Sequence, residues 1–245
     1  MGIFGDVKLY YEEQGISAAD FRCKHLKCCK LTCTNFTEAR EAYIGREYEK
    51  RTVPRLLFLS LDPGQGDDGP EAKTLAACRD WEERKRDVEE LNKNRHWYLT
   101  HNLAFELLRP IKKDLSLKQV HHYFAHTNSA KCCMNNPGNS SAAPRMFDAC
   151  REYIPGELLA LQPEILVTQG DMAKVAVESS FSRKASKGDL KGCGHAILDL
   201  NGREALWFHT YHPRYFGGFH RQRRECYHGW AEVAGEFWSG LNPPG

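Results

Sequence analysis

The chain has 245 residues, 27% of them charged and 41% hydrophobic, with a net charge of +2 and a pI near 8.0. That length builds one substantial domain with a full core and does not demand two, and so mild a charge does not by itself announce a nucleic-acid binder. No stretch is apolar for long enough to span a bilayer, and residues 1–6 lack a basic segment followed by an apolar one, so we expect a single 1–245 domain, monomeric, soluble and cytoplasmic.

The first 50 residues read as a Cys-rich appendage to that domain, carrying Cys23, Cys28, Cys29 and Cys33. The run Leu56-Leu57-Phe58-Leu59-Ser60 then predicts a buried strand, stopped abruptly by Leu61-Asp62-Pro63-Gly64-Gln65-Gly66. Such a junction delivers Asp62 to the C-terminal edge of a sheet, where ligand sites of open α/β sheets collect. Residues 71–95 are strongly charged and predict a peripheral exposed helix or helix pair. The spacing of Trp97, Leu99, Leu103, Leu107 and Leu108 predicts a buried helix, and residues 123–127 a strand that ends in Asn128.

A helix is expected over 147–161, with Pro163 beyond its end, then a strand over 165–169 closed by Gly170, and a helix over 172–179. After a polar loop over 182–194, apolar runs at 196–200 and 205–211 bracket Asn201-Gly202, a strong hairpin signal. The second run leads into Tyr211-His212-Pro213-Arg214, so His212 is expected to face the same pocket as Asp62. Arg214, His220, Arg221, Arg223 and Arg224 follow, interleaved with Tyr215, Phe216 and Phe219; the stretch reads either as a grip on nucleic-acid phosphates or as a solvated helix face. Strands alternating with helices imply a three-layer α/β/α fold around a mostly parallel sheet.

Ten cysteines without a secretory signal do not suggest a disulfide framework. Two N-terminal and two central thiolates can instead hold a metal that clips the appendage on, either an iron–sulfur cluster or zinc. The expected ligands are Cys23, Cys29, Cys132 and Cys150, with Cys28, Cys33 and Cys133 as alternates. Cys78, Cys193 and Cys226 are read as inert buried thiols.

Taken in order, these segments resemble the uracil-DNA glycosylase superfamily, especially its iron–sulfur branch, family 4. The branch's Gly-Glu-Ala-Pro-Gly is matched by Ser60-Leu61-Asp62-Pro63-Gly64, and its Thr-Asn-Val-Val-Lys-Cys by Thr127-Asn128-Ser129-Ala130-Lys131-Cys132. Pro137-Gly138-Asn139 and Cys150 follow as in the branch, Val167-Thr168-Gln169-Gly170 resembles its strand ending in Leu-Gly, and His212-Pro213-Arg214 its His-Pro-Ser. The N-terminal cysteines depart from the branch's Cys-x-x-Cys, and Asp62 brings the first motif closer to the Gln-Asp-Pro-Tyr of family 1.

The resemblance implies a four-iron, four-sulfur cluster, DNA as partner, a nucleoid-associated location and removal of a flipped uracil or modified pyrimidine. Asp62 is then expected to activate water, His212 to stabilise the departing base, and Asn128 to read its pairing edge. Trp97 or Tyr98 would stack on the base, with core packing as the alternative for each. Gly64 leaves room at the pyrimidine C5 position where family 1 has Tyr, and Gln65 follows in the same DNA-facing loop. Arg214 and Arg221 would hold phosphates, with Tyr215 or Phe216 as the wedge. Two alternatives stay open: an anti-phage glycosylase for a bulky glucosylated hydroxymethylcytosine, and a non-catalytic relative that binds modified DNA.

Overall fold

The structure is a computed structural model that describes residues 2–31, 35–64, 69–84, 96–134 and 141–242. Gln65, Cys33 and the Pro137-Gly138-Asn139 loop lie outside the described residues, as do residues 85–95 of the charged segment. The strands are β1 Phe36–Thr37, β2 Tyr43–Ile44, β3 Leu56–Ser60, β4 Phe124–Asn128, β5 Cys133–Met134, β6 Ile165–Gln169, β7 Ser182–Lys187, β8 His195–Leu200 and β9 Arg203–Thr210. The helices are α1 Ile3–Glu13, α2 Leu26–Lys30, α3 Leu75–Arg84, α4 His96–Leu108, α5 Pro144–Cys150, α6 Ile154–Leu161, α7 Asp171–Glu178, α8 Phe216–Glu225 and α9 Tyr227–Leu241.

Seven strands form one sheet in the order β2-β4-β3-β6-β9-β8-β7. The four central strands β4, β3, β6 and β9 run parallel, and antiparallel strands finish both edges. β3 explains the layering. Its side chains alternate across the sheet, so Leu57 and Leu59 join one core with α1, α6 and α7, while Leu56 and Phe58 join another with α4 and α9. This is the expected three-layer α/β/α arrangement, and the β8–β9 hairpin turns where expected, with Asn201 (φ 53°) and Gly202 (φ 88°) left-handed.

Several expectations need correction. Residues 182–187 are a strand, not loop: every side chain of β7 is exposed, so no apolar alternation marks it, and its Arg and Lys protect a sheet edge. The helix expected over 147–161 is two, α5 and α6, separated by a 3₁₀ turn at Arg151–Tyr153, with Pro155 in the first turn of α6, where its missing N–H costs nothing. The charged segment is not merely peripheral, because Leu75 and Cys78 are buried and α3 packs on β2. Cys193 and Cys226 are not separate inert thiols but a disulfide, which ties the turn before β8 to the α8–α9 junction.

The N-terminal segment is packed by its own residues. Ile3, Val7 and Tyr11 lie on one face of α1 against α6. Glu41 gathers the next stretch, accepting hydrogen bonds from Ser17 Oγ (2.9 Å) and the backbone N–H groups of Ala18 (2.7 Å) and Leu75 (2.7 Å).

Candidate active site at the strand ends

The apolar stripe facing α4 gives way to polar side chains at the C-terminal edge of the sheet. Ser60, His126 and Gln169 continue the faces that carry Phe58, Phe124 and Val167 further back. Ser60 Oγ donates to Gln169 Oε1 (2.7 Å) and sits 2.8 Å from His126 Nε2 and 3.3 Å from His96 Nε2, the first residue of α4. The serine has a single proton, which goes to the amide oxygen, so both imidazole nitrogens meet its lone pairs as N–H donors. Gln169 is held in turn by Thr100 (Nε2 to Oγ1, 3.2 Å).

Asp62 follows in the loop after β3. Burial pushes its carboxyl above the usual 3.8, opposed by the backbone N–H groups of Gly64 and Ala142 and by the Arg214 charge. The Gly64 bond is a tight turn, 2.9 Å to Asp62 Oδ1. Next to β3, the backbone N–H and Oγ of Ser129 bind the Ser60 carbonyl (both 2.9 Å) and Ala130 N–H binds the Leu61 carbonyl (2.8 Å), so the loops after β3 and β4 are laced together. Asn128, opposite Ser60 in register, is 5% exposed, and its Oδ1 has no hydrogen-bond partner among the described residues.

His212 comes from the end of β9. Its Nδ1 accepts the backbone N–H of Arg214 (3.2 Å), and burial, with the Arg214 charge adding to it, pushes its pKa down to about 4. A neutral ring whose Nδ1 is an acceptor carries its proton on Nε2. Gly170 closes the gap between the loops after β3 and β9: at φ 99°, a Cβ there would lie 2.8 Å from Leu61 Cδ2 and 3.3 Å from His212 Cβ. Only glycine fits.

Both aromatic candidates pack against the α4–α9 core, and Trp97 also reaches the site, its ring 4.8 Å from that of His126. Arg214 is exposed, with Nη2 3.8 Å from where a Cβ on Gly64 would stand. In α8, Phe219 and Gln222 are buried while Arg221 and Arg224 are exposed one turn apart, with Arg223 and His220 partly covered. Tyr215 is 62% exposed at the head of that helix, and the side chain of Phe216 lies outside the described set. Sequence reasoning missed Ser60, His96, His126 and Gln169 as site residues; the polar end of each apolar run was their only signal.

The thiols form a separate centre on the other side of the β4 loop. Cys23, Cys29, Cys132 and Cys150 line one small cavity together with His25, Lys131 and Tyr153. Burial, with neighbouring thiols adding to it, raises the Cys132 thiol well above its ordinary value; burial, opposed by Lys131 and helped by Cys23 and Cys29, takes Cys150 up to about 11. Lys131 N–H points at Cys150 Sγ (3.3 Å). Cys28 does not line the cavity, and Cys133 turns instead to the Gly64 carbonyl (2.7 Å). Among the described residues no group of three or more His, Cys, Asp or Glu side chains has the arrangement to hold a metal ion.

No described helix is long and apolar enough to cross a membrane. A search of curated proteins finds no match. The family model described as the uracil DNA glycosylase superfamily matches residues 49–231, a span that holds β3 through the first turn of α9 and with them Asp62, Asn128 and His212, though not Cys23 or Cys29. With that match over most of its length and the parallel-centred sheet that carries these residues at its strand ends, the chain belongs to the uracil DNA glycosylase superfamily.

Proposed function

We propose that the protein is a monofunctional DNA glycosylase that hydrolyses the N-glycosidic bond of a pyrimidine flipped out of the duplex. One observation carries the reading: the loops that bear Asp62 and His212 meet at Gly170, and the Arg214 charge acts on both a desolvated carboxylate and a desolvated imidazole. In the reaction the C1′–N bond breaks with its electron pair leaving on the base, and the negative charge gathers on the carbonyl oxygen beside the glycosidic nitrogen. His212 Nε2–H donates to that oxygen. Asp62 steadies the oxocarbenium-like sugar and takes a proton from the water that adds to C1′. The unpartnered Asn128 Oδ1 accepts the imino or amino hydrogen of the pairing edge. Trp97 supplies the stacking face, and Arg214, Arg221 and Arg224 hold flanking phosphates.

A second reading concerns the base itself. Among the described residues, a Cβ on Gly64 would meet only the Arg214 guanidinium within 4 Å, which supports an open and polar C5 side for the bound base. That favours a pyrimidine with a bulky polar C5 group, such as a glucosylated hydroxymethylcytosine of phage DNA. Duplexes carrying uracil, a thymine mispair, hydroxymethylcytosine and its glucosylated forms, incubated with the protein and cleaved by alkali at abasic sites, test both readings. Cleavage confined to the glucosylated duplex selects the second; cleavage at uracil alone removes it; retention of DNA without any abasic product makes the protein a binder.

For the thiol cavity we propose a four-iron, four-sulfur cluster held by Cys23, Cys29, Cys132 and Cys150. Four sulfurs around a cavity suit a cluster, which is wider than the single point a zinc ion needs, and the Lys131 N–H at Cys150 Sγ suits a thiolate. When bound, the cluster joins the N-terminal segment to the β4 loop; these residues orient and do not react.

A further inference from the structure

His96 has no place in the chemistry above, yet it is built into the site. Its ring stacks on His212 with centroids 5.1 Å apart and planes 22° apart, and meets His126 edge-on at 5.6 Å. Its Nε2 is fixed by Ser60 Oγ (3.3 Å), and Gln169 adds a second side-chain hydrogen bond. Ser60 is 1% exposed and anchored on both sides, so the His96 ring has little freedom to turn.

We propose that His96 is a positioning residue, the wall that fixes the His212 ring in the plane that presents its Nε2 proton to the bound base. The inference rests on the reading of His212 as donor to the leaving base. Among the described residues His212 is gripped at Nδ1 alone, by the backbone N–H of Arg214, and that bond leaves the ring free to swing about it. A flat neighbour stacked on the ring removes that freedom and excludes water from one face. The charged and titratable groups that face the stacked pair are Arg214 from the loop after β9 and His126 from β4. Arg214 disfavours a proton on both imidazoles and His126 disfavours one on His96, in the same direction as burial, so the pair rests neutral.

The test is a two-bond ¹H–¹⁵N spectrum of the histidines in the whole, substrate-free protein, with the His212 signals assigned by their loss in His212→Gln. The wild-type ring should be the Nε2–H tautomer and stay neutral down to about pH 4. In His96→Ala, water reaches the ring, so the tautomers should mix and the titration should rise by about one pH unit or more. His96→Phe keeps the wall and should restore the wild-type tautomer and titration. On a substrate duplex, His96→Ala should lower kcat by about ten- to a hundredfold with KM little changed. If His96→Ala does not fold, the wild type and His96→Phe decide. An Nδ1–H tautomer in the wild type, a raised titration in His96→Phe, or an unchanged ring in His96→Ala would each overturn the proposal. Because the spectrum needs no substrate, absence of turnover on every duplex would sink the glycosylase reading and leave this test standing.

Discussion

Asp62 and His212 sit in environments that act on their charge in the same direction. Burial disfavours charge on both, which raises Asp62 and lowers His212. The signs fix a pH dependence. Asp62 must be ionised to take a proton, so turnover is lost as pH falls through its raised pKa, above the ordinary 3.8. His212 keeps its Nε2 proton at every pH above about 4, so it adds no limb near 6.5. A profile of kcat against pH should therefore show one acid limb and a plateau through neutrality; a fall centred near 6.5 would mean that His212 works protonated. At this scale the sequence was legible where a side chain sits at a strand–loop junction, as Asp62, Asn128 and His212 do. Ser60, His96, His126 and Gln169 were not, because only the parallel register of β3, β4 and β6, with the start of α4 packed against it, brings them together.

The elements carry charge in two different ways. In α8 it lies outside: Arg221 and Arg224 are exposed on the face opposite Phe219 and Gln222, and Gln222 pins the helix by donating to the carbonyls of Lys191 and Gly192 (3.1 Å each) and His209 (3.2 Å). Mutating Arg214, Arg221 and Arg224 to Ala should weaken binding to all duplexes alike and flatten the log–log salt dependence by about 2–3. Asn128→Ala should instead change base preference; a triple variant with the wild-type salt slope would make α8 a solvated face. Between β4 and α6 the charge lies inside. Lys131 (2% exposed side chain) pairs with Glu157 (0%), which also accepts from Tyr11 and from Thr127 Oγ1 (2.7 Å). Lys131→Met leaves that carboxylate buried without its cation and should cost about 3–5 kcal/mol in denaturant unfolding, whereas a loss below about 1 kcal/mol would show that Tyr11 and Thr127 suffice. β7 was illegible for the opposite reason: a fully exposed strand has no buried face to leave a period in the sequence.

Across the molecule, the N-terminal segment is tied to the sheet by α1 packing, by Glu41 and by the thiol cavity, and two of the four cavity thiols lie outside the span shared with the superfamily. The sequence marked the thiols by crowding, but only the fold separates Cys28, which does not line the cavity, from Cys23 and Cys29. It hid the Cys193–Cys226 pair, 33 residues apart, because nothing local relates a hairpin turn to a helix junction. Protein purified without oxygen should be brown, and Cys150→Ser should lose the colour and expose the N-terminal segment to protease; colourless protein with stoichiometric zinc would replace the cluster by a single ion.

The account stands on Asp62 acting in the transition state and not in ground-state binding. The direct measurement is single-turnover release of base from the preferred duplex by wild type and Asp62→Asn, with the dissociation constant measured on the same duplex. We expect the variant to bind within about threefold of wild type and to release base roughly 10²–10⁴-fold more slowly. Release at the wild-type rate, with binding intact, would contradict the mechanism.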